Sequence, residues 1–264
     1  MTKDVALVLS SGSSRGLADI GAIEALEEHG YRITSVAGCS IGAIVGGMYA
    51  AGKLPVLKDF FMGMNRRRMA QLIDLSVTRN HLVKGNKLMD AFGEMIPDVT
   101  IESLDIPLAL IATDMTTGTE QVFRTGNLNQ LMRASFSIPV VFQPVHYQGM
   151  LLMDGGVTNP LPLNRVQRNG HDLLVALNVS GPMEVNSKVS DTDGALMVIN
   201  RVTDIMVVQN VMLMKQLYPA DMCMEVSKNH FGSYDYDRAE EIIAYGRQLM
   251  EAEILRYEAT ISAV

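Results

Sequence analysis

Only two cysteines, Cys39 and Cys223, occur in the 264 residues. Two thiols build no disulfide framework, so the fold has to rest on a packed core, and a reducing compartment is compatible with that usage. They are also too few soft ligands for a zinc site, and no metal is expected. Basic charge is scarce as well: 22 Lys and Arg against 29 Asp and Glu leave a formal net charge of −7. Neutralising phosphates takes a clustered basic surface, so the balance argues against a general nucleic-acid binder. The one dense basic cluster is Arg66-Arg67-Arg68. Long hydrophobic runs are missing too. No uninterrupted apolar stretch approaches the roughly 20 residues that span a bilayer. The start, MTKDVALVLSSG, sets one Lys and one Asp before a five-residue apolar run, too short for the core of a signal peptide. A soluble, cytoplasmic chain is the expectation.

What the chain has is apolar residue, 48% against 19% charged, which at this length supports a sizeable core rather than disorder. Val5 to Leu9 reads as a buried strand, and Leu17 to Glu28 as a helix that Gly30 stops. Ile33 to Ala37 is a second strand, and Ala43 to Ala50 a buried helix. This alternation predicts an α/β fold whose mostly parallel sheet carries helices on its faces. From Leu54 to Ile96 the pattern is helical and Met-rich. Strands follow at Pro107 to Thr113, within TGTEQVFRTGN, and at Asp172 to Val179, and PVHYQGMLLMDGG reads as a hairpin turning at Gln148-Gly149. A helix through Leu217, a strand at Met222 to Val226 and a final helix from Asp237 close the chain. With no repeat and no low-complexity linker, one domain over residues 1–264 is expected.

Gly38-Cys39-Ser40-Ile41-Gly42 fits G-x-S-x-G, in which the glycines permit a sharp strand-to-helix turn that exposes a serine hydroxyl. The helix N-terminus behind it favours negative charge near Ser40. The earlier loop, LSSGSSRG, also opens onto a helix. It is no P-loop, because Gly12 lacks a Gly five positions on and no Lys-Ser/Thr pair follows. It is no dinucleotide loop either, because a G-x-G-x-x-G frame ending at Gly16 puts serines at 11 and 13. What remains is a run of backbone N–H groups beside Arg15 that suits some anion, or a plain helix cap at Ser14. A serine nucleophile needs a base, usually histidine, yet none of His29, His81, His146, His171 and His230 lies in an obvious site motif. Asp154 stands at a strand end ahead of Gly155-Gly156, either a carboxylate delivered into a glycine turn or simply a turn signal.

The three features in this order resemble the patatin-like phospholipase family, as do TDMTTGTEQVFRTGN, RASFSIPVVFQPV and LLMDGGVTNPLP, over about residues 5 to 180. The resemblance implies a three-layer α/β/α sandwich and a lipid acyl-ester hydrolase without metal or cofactor. It implies a Ser-Asp dyad, Ser40 as nucleophile and Asp154 as its base. The oxyanion hole would be formed by amides around Gly12, Ser13 and Ser14, with Arg15 holding the loop, supported by Gly16, Gly38, Gly42, Gly155 and Gly156. Where the family usually has consecutive glycines, this loop has serines, and a positive φ at Ser13 would cost on the order of 1 to 2 kcal/mol. Asp19 replaces a histidine often found in the family's first helix, and an acid in a first turn suits the dipole. Met and Phe residues between Phe60 and Met95 could line an acyl channel, and Arg66 to Arg68 beside Phe60, Phe61 and Met62 could make peripheral contact with a membrane. Two other readings stand beside the dyad. One is an α/β-hydrolase triad of Ser40, Asp154 and His171 or His230; the other is a lipid-binding protein of weak activity.

Overall fold

The structure, a computed structural model, describes residues 3–65, 67, 68, 71, 87, 91, 94, 95, 98–183 and 194–262. Strand β1 (Asp4–Leu9) leads through a 3₁₀ turn (Ser13–Leu17) directly into α1 (Ala18–Glu28), and β2 (Arg32–Cys39) leads into α2 (Ile41–Ala50) and α3 (Leu54–Met62). After β3 (Leu108–Asp114) and β4 (Thr119–Phe123) come α4 (Leu128–Ser135) and the hairpin β5 (Val145–Tyr147) and β6 (Met150–Asp154). The chain ends through β7 (Leu173–Gly181), α5 (Ala195–Leu217), β8 (Met222–Ser227) and α6 (Ala239–Ser262). The hairpin turns where expected: Gln148 and Gly149 both adopt positive φ, 49° and 81°, as a tight two-residue turn between twisted strands requires.

The eight strands among the described residues form one sheet in the order β5-β6-β3-β2-β1-β7-β8, with β4 paired to β3 off this path. The β3-β2-β1-β7-β8 run is parallel, and the pairings of β4, β5 and β6 are antiparallel. Side chains alternate across it with the strand period of two. Val5, Leu7 and Leu9 join a large core with Ile20 and Ile23 of α1, Ile44 and Met48 of α2, and Ile242 and Met250 of α6. Ala6 and Val8 point the other way, with Ala37, Ala109 and Ala176, onto Val207, Val211 and Met214 of α5. The second face carries small residues, which lets one long helix lie close on it. By length and composition α5 is also apolar enough to cross a membrane, but those three residues tie it to the sheet.

The register around β3 positions the site. Strand β2 runs beside β3 up to the pair Cys39–Ile111, and β6 takes up the next pair, Asp154–Ala112. Because β4 occupies Leu110 to Asp114 on the other edge, β2 and β6 share one edge and meet there end to end. Ser40 and Asp154 are the residues at that junction.

Two sequence expectations change. Asp19 does stand in the first turn of α1, but its setting there is apolar. Its carboxyl is wholly buried, neither oxygen has a hydrogen-bond partner among the described residues, and burial raises its pKa well above the ordinary value. Phe61 is no surface anchor; it is 3% exposed and stacks on Tyr236 at 5.7 Å. Arg66 lies outside the described residues, as does most of the stretch read as an acyl channel.

Candidate active site

Ser40 follows β2 and holds the N-cap position of α2 with φ 57° and ψ −121°, a conformation that costs a non-glycine residue about 1 to 3 kcal/mol. The neighbouring glycines make the turn possible. A Cβ on Gly38 would lie 2.3 Å from the Gly42 carbonyl oxygen, and one on Gly42 would lie 2.5 Å from that of Leu9. Any side chain at either position would push α2 away from the strand ends. The strained amide of Ser40 donates to Ser135 Oγ at 2.9 Å, and that hydroxyl donates to the Ile111 carbonyl at 2.6 Å. Helix α4 thus fixes the elbow through a single hydroxyl that sequence motifs do not mark.

Across the junction, Asp154 accepts a hydrogen bond from Ser40 Oγ at its Oδ2, 2.5 Å away, and one from the Gly156 amide at its Oδ1, 2.8 Å away. Its own amide donates to the Ser137 carbonyl, and Thr113 Oγ1 donates to its carbonyl oxygen at 3.0 Å. Both Ser40 and Asp154 are buried. Burial pushes the Asp154 carboxyl up to about 6, against the pull of the Ser40 and Gly156 hydrogen bonds. At neutral pH it is therefore mainly a desolvated carboxylate holding a serine proton, the arrangement a general base needs.

The pair opens into a cleft of about 100 Å³ that Gly12, Ser13 and Arg15 also line. Among the described residues no acceptor is found for the Gly12 and Ser13 amides. Ser13 has φ 53°, so the serine-for-glycine departure is met by strain at this residue. Ser14 is not brought to the cleft. Its amide donates to the Ser233 carbonyl at 3.4 Å and its hydroxyl to that of Gly232 at 2.6 Å; neither reading of Ser14, oxyanion donor or helix cap, fits this geometry. Arg15 is buried, and its guanidinium donates to the carbonyls of Val179 and Phe231, both at 3.0 Å, which anchors the loop to the end of β7. Gly16 packs against Ile41 at the start of α2, and Gly155 against the Ile111 carbonyl.

No described histidine lines the cleft. His171 is exposed, and His230 stacks on Tyr245 at 4.2 Å. Phe60 and Met95 line a separate depression, sharing no residue with the cleft. The far wall comes from residues that no motif announces: Thr203, Asp204 and Val207 of α5, and Lys228 after β8, with Lys228 ion-paired to Asp204.

Residues 7–166, more than half of the chain, match the profile described as patatin-like phospholipase. The chain belongs to this family. An uncharacterized NTE family protein of Mycobacterium tuberculosis is 40% identical to the patatin-like chain over 177 residues, which cover 67% of this chain and 49% of that protein. The lysophospholipase NTE1 of Scheffersomyces stipitis is 30% identical over 179 residues, 66% of this chain and 12% of that protein. Mouse patatin-like phospholipase domain-containing protein 7 is 31% identical over 189 residues, 69% of this chain and 14% of its own length. The patatin-like chain therefore spans at most about half the length of these relatives. Among solved structures, ExoU in complex with SpcU, from the type III secretion system of Pseudomonas aeruginosa, superposes with a TM-score of 0.52 at 15% identity, over 97% of this chain and 53% of that one. At that identity the likeness speaks for the fold, the patatin-like α/β sandwich.

Proposed function

We propose that this chain hydrolyses acyl esters of lipids, of the phospholipase A or lysophospholipase kind, through a Ser40–Asp154 dyad. The observation that carries the reading is the 2.5 Å hydrogen bond from Ser40 Oγ to Asp154 Oδ2 at a strained elbow inside a cleft. Ser40 Oγ attacks the ester carbonyl carbon while its proton passes to Asp154 Oδ2. The carbonyl electrons move onto oxygen, and the resulting oxyanion meets the free amides of Gly12 and Ser13. Each such donor is typically worth about 3 to 4 kcal/mol in the transition state. Collapse breaks the C–O bond, and Asp154 returns the proton to the departing alcohol. Water, deprotonated by the same carboxylate, then attacks the acyl-serine, and the fatty acid leaves as the proton goes back to Ser40.

The test is labelling by a fluorophosphonate probe together with hydrolysis of a lysophospholipid. Wild type should label, Ser40→Ala should not, and Asp154→Asn should lose at least about a thousandfold in rate, the scale on which removal of a catalytic base reads out. Loss of activity in His171→Asn or His230→Asn would point to a triad instead. An unlabelled wild type that still binds lipid would leave a binding protein on this fold.

A further inference from the structure

Helix α5 has two apolar faces, and only one of them is used. Val207, Val208, Val211 and Met214 are buried against the sheet, yet nine other large apolar side chains between Met197 and Leu217 are 42% to 63% exposed. The exposed set is ordered. Val198, Val202, Ile205, Gln209, Met212 and Gln216 follow one another at steps of three and four, so they form a single row on one side of the helix. The three charged residues of α5 lie on a different row: Arg201, Asp204 and Lys215 share the spacing of the buried Val208 and Val211. The row is therefore uncharged along a helix of 23 residues, about 34 Å, and its only polar members are Gln209 and Gln216; the exposed Asn200 and Thr203 lie off it. A monomer seldom leaves a continuous apolar strip of that length in water without using it.

We propose that this face docks on a lipid surface, lying along the headgroup and acyl boundary of a bilayer, and that docking holds the Ser40 cleft about one helix diameter from that surface. The choice of lipid as occupant rests on the lipid-ester reading above and on three observations. First, α5 is continuous with the cleft. Thr203, Asp204 and Val207 form its wall, and Asn210 Nδ2 donates to the Thr158 carbonyl at 2.9 Å, just beyond the turn that follows Asp154. These residues lie on the side of α5 turned away from the row, so a surface that takes the row lies about one helix diameter from the cleft wall, and Val157, which also lines the cleft, is exposed. Second, the row holds no aromatic and no arginine, and its hydrogen-bonding side chains are Gln209 and Gln216 alone. Protein interfaces are rich in the first two and carry about one hydrogen bond per 100 to 200 Å², whereas aliphatic and Met side chains suit acyl chains. Third, Val207, Val211 and Met214 hold α5 to the sheet. It cannot turn to span the membrane, so it lies in the plane.

Met206 and Leu213 are 63% and 52% exposed, outside the cleft, and suited to a test that leaves the fold alone. The double variant M206E/L213E and its parent are floated with phosphatidylcholine vesicles, each also in a Ser40→Ala background so that no lipid is consumed. The parent should float with the vesicles with or without Ser40. The double variant should lose at least about tenfold in vesicle partition, as charges placed where apolar side chains insert require. Its hydrolysis of a water-soluble short-chain ester should stay within about twofold of the parent. A parent that fails to float, or a double variant that floats equally well, overturns the proposal. A parent that is dimeric by light scattering and becomes monomeric in the double variant overturns it too, assigning the face to a second copy of the chain. If vesicle binding depends on the face while no ester is hydrolysed by any form, the hydrolase reading fails and the docking face stands.

Discussion

A carboxyl whose proton affinity is raised by burial works against the folded state once it ionises. Asp154 goes from an ordinary 3.8 to about 6, so between pH 4 and 6 the folded chain binds a proton that the unfolded chain has released. Stability then falls as pH rises through that window, by about 3 kcal/mol in all. Asp154→Asn should accordingly be more stable than wild type by up to about 3 kcal/mol at pH 8 and no more stable at pH 4. Urea denaturation at the two values measures this, and an equal difference at both would contradict it. The same carboxyl sets activity with the opposite sign. On the dyad mechanism the base works only when deprotonated, so kcat/KM should drop below an apparent pKa near 6 and level off above it. Ser13 poses a smaller version of the same conflict. At φ 53° a glycine would be unstrained, so Ser13→Gly should raise stability by about 1 kcal/mol or less, once the extra freedom of glycine in the unfolded chain is counted. The amide remains in place, so turnover should persist.

Among the described glycines, the two with least room for a Cβ lie away from the cleft. A Cβ on Gly21 of α1 would lie 2.0 Å from the Ile243 carbonyl oxygen of α6, and one on Gly246 of α6 would lie 2.0 Å from that of Ala18. The two helices touch backbone to backbone, so Gly246→Val has to part them and should cost about 2 to 4 kcal/mol through lost packing. Thermal unfolding would show it, while fluorophosphonate labelling of the folded fraction should be unchanged. In the sequence both glycines pass for ordinary helix residues, because what they answer to lies more than two hundred residues away. The elements themselves were legible: apolar runs with flanking glycines marked β1, β2, β3 and β7 nearly to their ends, and G-x-S-x-G with Asp-Gly-Gly marked Ser40 and Asp154. The end-to-end meeting of β2 and β6 along β3 was not legible, since register between distant strands leaves no local pattern. Ser135 was hidden for the same reason, and Ser14 was misplaced because a loop amide's direction depends on the partner it finds, here Ser233.

At the scale of the molecule, periodicity identified α5 as a helix but could not separate its two apolar faces, since a strip awaiting a lipid surface and a strip in a core have the same composition. Charge separates what docking by this strip should do from what docking by a basic patch would do. The chain carries a formal net charge of −7; near α5, Lys215 pairs with Glu225 at 2.8 Å and Lys228 with Asp204, and Arg201 stands off the outer row. The outer row of α5 carries no cation to attract an anionic membrane, while the net charge is repelled by one over a screening distance of about 10 Å at 0.1 M salt. Adding anionic phosphatidylglycerol to phosphatidylcholine vesicles should therefore weaken binding at low ionic strength, and added salt should restore it. Binding through Arg66, Arg67 and Arg68 would give the reverse, gaining affinity with anionic lipid and losing it with salt. Flotation across a salt series on both vesicle types tells the two apart, and an affinity that rises with phosphatidylglycerol would move the docking surface from α5 to the arginines.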